Sequence, residues 1–149
     1  MAGAHNRIEV LHGVNLNTLG RRDPAIYGTA TLGSLEIQIK RWAQEMGLGS
    51  TFFQSNHEAE FIEHLHRLPE MADAAIINAG AWTHYSWAIR DAAEVAAIPL
   101  VEVHLSDIHA REPWRARSVF DGLVVAQISG RGADGYREAL SVLKRELEV

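Results

Sequence analysis

Five short runs of β-branched and apolar residues recur along the chain: "RIEVLH" (7–12), "STFFQ" (50–54), "AAIIN" (74–78), "PLVEVHL" (99–105) and "GLVVAQIS" (122–129). Segments with apolar residues at helical spacing separate them. "TLGSLEIQIKRWAQEMG" carries Leu32, Leu35, Ile39, Trp42, Ala43 and Met46 on one stripe, with Thr31 as its cap and Gly47 as its stop. "EAEFIEHLHRL" predicts a second helix ended by Pro69, "SWAIRDAAEVAA" a third, and "DGYREALSVLKREL" an amphipathic last one. Alternation of this kind predicts one α/β domain over 1–149, with five parallel strands and helices on both faces in a flavodoxin-like doubly wound sheet. The runs 74–78 and 122–126 are almost continuously apolar, which suits strands buried on both sides.

In such sheets ligands bind beyond the carboxyl ends of the strands. The residues there are polar: His12-Gly13-Val14-Asn15 after the first, Asn78 to His84 after the third, and His104-Leu105-Ser106 at the end of the fourth. A long polar segment, "NTLGRRDPAIYG" (17–28), leaves the same edge and reads as neither helix nor strand. Gly20 and Gly28 at its two ends suit a lid that hinges.

Composition removes several classes. There is no cysteine, hence no disulfide and no thiolate metal site, and a reducing cytoplasm is the expected compartment. Net charge is −5 with no basic block, which argues against nucleic acid. The start of the chain lacks the apolar run of a signal peptide, and no stretch is long enough to cross a membrane. Arg21, Arg22, Arg111, Arg115, Arg117 and Arg131 still leave room for a small anionic ligand.

Residues 130–135 match G-x-G-x-x-G, but no second strand with an acidic residue follows, so the segment reads as a tight strand-to-helix turn. A phosphorelay receiver would need acids where His12 and Asn78 stand, and a flavin site would need a Ser/Thr-rich loop where "HGVNLN" stands. Glu102 and His104 share one strand face. They could be two metal ligands, as in a metal-dependent hydrolase, or a carboxylate orienting an imidazole. Tyr27 lies close in sequence to Arg21 and Arg22; a guanidinium favours the phenolate over a phenol of ordinary pKa near 10, and a phenolate is a competent base.

These pieces resemble the type II 3-dehydroquinate dehydratases almost end to end. "GVNLNTLGRRDPAIYG", "QSNHEAEFI", "NAGAWTHYSWAIRDA", "PLVEVHLSDIHAREPWRARS" and "SGRGADGYREAL" look like that family's ordered segments. The resemblance implies trans elimination of water from 3-dehydroquinate through an enolate to 3-dehydroshikimate, without metal or cofactor, in aromatic biosynthesis or quinate breakdown. It gives Tyr27 as base, Arg22 as the essential loop arginine, His104 as general acid held by Glu102, and Asn15 as the group positioning a water on the enolate. Asn78, His84 and Arg115 would bind ring hydroxyls. The backbone at Leu105 and Ser106, with the Ser106 hydroxyl, would take the carboxylate. Asp91 would reach a neighbouring subunit's site in trimers grouped as a dodecamer. An alternative is a paralogue that binds a cyclitol carboxylate without turning it over. The chain departs from the family at His12 and Val14, where asparagine and proline are usual, at Tyr85 and Trp87, and at Glu112-Pro113-Trp114. His12 is expected to put a second imidazole near His104, and the added bulk to repack a subunit interface rather than narrow the pocket.

Overall fold

In a computed structural model that describes residues 5–148, strands β1 (Arg7–His12), β2 (Gly49–Gln54), β3 (Ala74–Asn78), β4 (Leu100–His104) and β5 (Ala126–Ser129) form one parallel sheet in the order β2-β1-β3-β4-β5. The helices are α1 (Pro24–Tyr27), α2 (Leu32–Glu45), α3 (Glu58–Met71), α4 (Trp87–Ala96) and α5 (Asp134–Leu147). Strand side chains alternate between two cores. Ile8, Val10, Ile76, Val101 and Val103 pack with Leu35, Ile39 and Trp42 of α2 and with Tyr136, Leu140 and Leu143 of α5. Leu11, Ala75 and Ile77 face the other way, onto Phe61, Leu65 and Leu68 of α3 and Ile89, Ala92 and Ala93 of α4. This is the doubly wound, flavodoxin-like architecture expected of the alternation. No described helix is long and apolar enough to cross a membrane.

Local chemistry sets the element ends. Thr31 caps α2: its hydroxyl accepts from the Ser34 N–H, and the Ser34 hydroxyl accepts in return from the Thr31 N–H. Three boundaries differ from the sequence expectation. Helix α3 runs through Pro69 to Met71, because Leu68 is sealed in the core and its carbonyl accepts from Ala72 at 2.9 Å, closing a last turn without the proline's missing N–H. The fifth strand starts only at Ala126, since Gly122 sits at φ +84° in a turn. The polar segment after β1 contains a 3-10 turn (Leu16–Thr18) and the one-turn helix α1. Asp23 accepts from Ala25 N–H at 3.0 Å and Pro24 occupies the first helical position, a start signal present in "DPAIY".

Two glycines let the loops after β1 and β3 cross in contact. A Cβ on Gly13 would stand 2.3 Å from the Ala79 carbonyl oxygen, and one on Gly80, which has φ +63°, would stand 2.5 Å from the Val14 oxygen. The Gly13 N–H donates to Asn78 O at 2.7 Å, carrying the β1–β3 ladder past the strand ends. Gly13→Ala therefore pushes backbone against backbone. Its urea midpoint should fall by the equivalent of about 3 kcal/mol, against about 1 kcal/mol for the exposed cap change Thr31→Ala.

Candidate active site

A cavity of about 560 Å³, counting its open mouth, lies beyond the carboxyl ends of β1, β3 and β4. Asn15, Arg22, Tyr27, Asn78, His84, His104, Leu105, Ser106 and Arg115 all line it, together with Arg111. The loops behind the wall are pinned. Asn15 holds a left-handed backbone (φ 69°) that asparagine tolerates better than most residues, and its N–H donates to Asn56 Oδ1 at 2.8 Å. The carbonyls of Leu105 and Ser106 accept from Gly132 and Gly130. The glycine run after β5 thus props the β4 turn, which agrees with reading it as a turn rather than a dinucleotide fingerprint.

Helix α1 delivers Tyr27 to the mouth. Arg22 Nη2 donates to its hydroxyl at 2.6 Å, and the same guanidinium lies 3.7 Å from the ring centroid. Arg111, from the turns after β4, places a second guanidinium 5.1 Å from that centroid and donates weakly to Ser106 Oγ at 3.4 Å. Its Nε is buried without a partner among the described residues. The sequence marks Arg111 only as one of several arginines, and no local spacing rule shows that it points inward from the turns after β4.

On β4, Glu102 and His104 do lie on one face. His104 Nε2 donates to Glu102 Oε2 at 2.6 Å, while Ser118 Oγ and Gln127 Nε2 donate to the same carboxylate at 2.9 and 3.0 Å. Glu102 is fully buried, and with both oxygens engaged it orients the imidazole through Nε2. Burial works against its charge, but the His104 hydrogen bond, the His104 charge and the other two donors hold its carboxyl below the usual range. His84 is the reverse case. Burial pushes it below the usual imidazole range, against the pull of the Arg117 carbonyl that accepts from Nδ1 at 2.7 Å. A neutral ring with its proton on Nδ1 has a lone pair on Nε2, an acceptor for a hydroxyl.

Of the residues singled out from sequence, Glu102 stands behind His104 rather than on the cavity wall, and Asp91 is exposed on α4 away from it. His12 does not approach His104. Even-numbered β1 residues face α2 and α5, so its ring stacks 6.4 Å from Phe52 and lies 3.4 Å from Glu36, on the opposite side of the sheet.

Residues 6–144 match the family described as Dehydroquinase class II. The chain belongs to that family. A protein of Pelobacter propionicus named 3-dehydroquinate dehydratase is 52% identical, with 90% of this chain and 91% of that protein covered. One of the same name from Syntrophotalea carbinolica is 48% identical over 96% and 97%. Among solved structures, type II dehydroquinase from Propionibacterium acnes superposes with a TM-score of 0.89 at 39% identity, covering 95% of this chain and 99% of that one. The bulky departures from the dehydroquinase pattern stay off the cavity wall. Tyr85 and Trp87 are exposed, and Trp114 meets the His84 ring edge-on at 5.4 Å.

The Glu102 environment has a pH signature. Its folded carboxyl titrates below the unfolded value of 4.5, so its contribution to stability is complete above that pH and is lost as pH falls through the folded value. Glu102→Gln should flatten the acid limb of stability as pH falls below the unfolded value of 4.5. Urea midpoints across that range, compared with the parent chain, measure the difference.

Proposed function

We propose that the chain is a 3-dehydroquinate dehydratase that removes water in the trans sense through an enolate, using its own side chains. The names of relatives near 50% identity, both 3-dehydroquinate dehydratase, support the substrate. The observation that carries the mechanism is the pair of prepared groups in one cavity: Tyr27 held by Arg22 from the lid side, and His104 held by Glu102 from the sheet.

The reaction must break a C–H bond next to a ketone and a C–O bond one carbon further on. Tyr27 as phenolate takes the proton, its charge supported by the Arg22 hydrogen bond and by Arg111 nearby. The electron pair moves onto the ketone oxygen. Asn15 orients a water that donates to that oxygen, an interaction worth roughly 3–4 kcal/mol per donor in comparable oxyanion sites. When the enolate reforms the ketone, the new double bond pushes out the hydroxyl, which leaves as water with a proton from His104. Glu102 balances the imidazolium before transfer. Asn78, His84 and Arg115 fix the ring hydroxyls, and Leu105 and Ser106 take the carboxylate. Closure of the segment between Gly20 and Gly28 brings Tyr27 over the ring and excludes water.

Asp91 and Trp87 are four residues apart on α4, hence on one face, and both are exposed. This supports the further reading that α4 docks a neighbouring protomer, whose site Asp91 completes, in trimers grouped as a dodecamer.

A rise in absorbance of the conjugated enone on adding 3-dehydroquinate is the expected result. Tyr27→Phe should lower kcat by roughly 10²–10⁴ with an unchanged urea midpoint; retained turnover would remove Tyr27 as the base. Affinity for the cyclic carboxylate without product would favour a binding-only protein. Light scattering should give a dodecamer mass, and Asp91→Ala should raise KM while leaving the isolated fold intact.

A further inference from the structure

Asn78 ends β3 with its side chain on the α2 and α5 side of the sheet, at the rear of the cavity it lines. Its Oδ1 accepts from the Gly80 N–H at 3.2 Å, and its Nδ2 donates to the hydroxyl of Tyr136 at 3.1 Å. Because Gly80 N–H is a donor only, it fixes which end of the carboxamide is oxygen. One amide hydrogen is then committed to Tyr136, and the other is left for a ligand.

Tyr136 comes from the first turn of α5 and is completely buried. The His12 ring packs against it with centroids 6.3 Å apart. The mechanism above gives it no part. Burial pushes its phenol up to about 12, against the Asn78 hydrogen bond that pulls it down, so the hydroxyl keeps its proton and stays an uncharged acceptor. A buried phenol with an uncommitted hydroxyl would be a cost to the core. Here the oxygen is spent on one side chain at the cavity wall.

We propose that Tyr136 is a positioning residue, whose hydroxyl locks the Asn78 carboxamide so that its second amide hydrogen meets a hydroxyl of the bound ring. The inference rests on the reading of Asn78 as a ligand-binding group. A contact of that kind is the same in the ground and transition states, so losing its alignment weakens binding rather than chemistry.

The test is a cycle on the full chain: Tyr136→Phe, Asn78→Ala and the pair, with KM and kcat for 3-dehydroquinate and calorimetric affinity for the enone product. Tyr136→Phe should raise KM about tenfold, the worth of one net hydrogen bond, with kcat little changed. With alanine at 78 the same change should do nothing more. The calorimetric site number counts folded protein; if Tyr136→Phe fails to fold, a ring-fluorinated tyrosine at 136 weakens the acceptor while keeping its shape. An unchanged KM in Tyr136→Phe alongside a raised KM in Asn78→Ala overturns the proposal alone. An equal effect of Tyr136→Phe in both backgrounds also overturns it, since that marks general loosening of α5. An unchanged KM in Asn78→Ala overturns the ligand role of Asn78 and this inference together, while the Tyr27 and His104 assignments stand.

Discussion

The site depends on a backbone crossing. The loops that follow β1 and β3 touch where Gly13 meets Ala79 and Gly80 meets Val14, at separations that no side chain would permit. Because they touch, Asn15 from one loop and Asn78 and His84 from the other face one cavity. The parallel sheet supplies the common edge, and the missing Cβ atoms supply the closeness. Three of its polar residues are then held from behind, the Asn15 backbone by Asn56, His84 by the Arg117 carbonyl, His104 by Glu102. Preorganisation of this sort costs no rearrangement when charge develops on a ligand.

The two halves of the site are prepared by opposite means. His104 is held by a buried carboxylate, itself satisfied by Ser118 and Gln127. Tyr27 is held by cations at a half-exposed mouth. In the proposed mechanism the acid, His104, sits on a strand and the base, Tyr27, on a one-turn helix, the separation that an elimination across a ring requires. On that reading the polar segment after β1 carries only the base.

Most of the architecture was legible because each strand is bounded by polar residues and each long helix has a clear period. The pairing of Glu102 with His104 could be anticipated from their spacing of two, although geometry was needed to choose between orientation and metal ligation. What stayed hidden depended on contacts distant in sequence. Arg111 earns its place from a turn whose conformation no local rule fixes. Pro69 stays helical because of Leu68 packing in the core, a tertiary effect that overrides the local breaker. His12 looked like a site residue because it borders the strand end, but strand parity turns it toward Glu36. Helix α1 was missed although "DPAIY" carries an ordinary start signal, because a stretch so polar offers no apolar stripe to read.

The clustering of guanidinium groups has a kinetic consequence. Overall the chain is acidic, at −5, yet Arg22, Arg111 and Arg115 all border a single opening. An anionic ligand that meets an overall acidic chain finds three guanidinium groups gathered at this mouth, where low-dielectric walls focus the attraction. Added salt weakens that guidance, so capture of an anion slows as ionic strength rises, whereas the buried Glu102–His104 pair is screened far less.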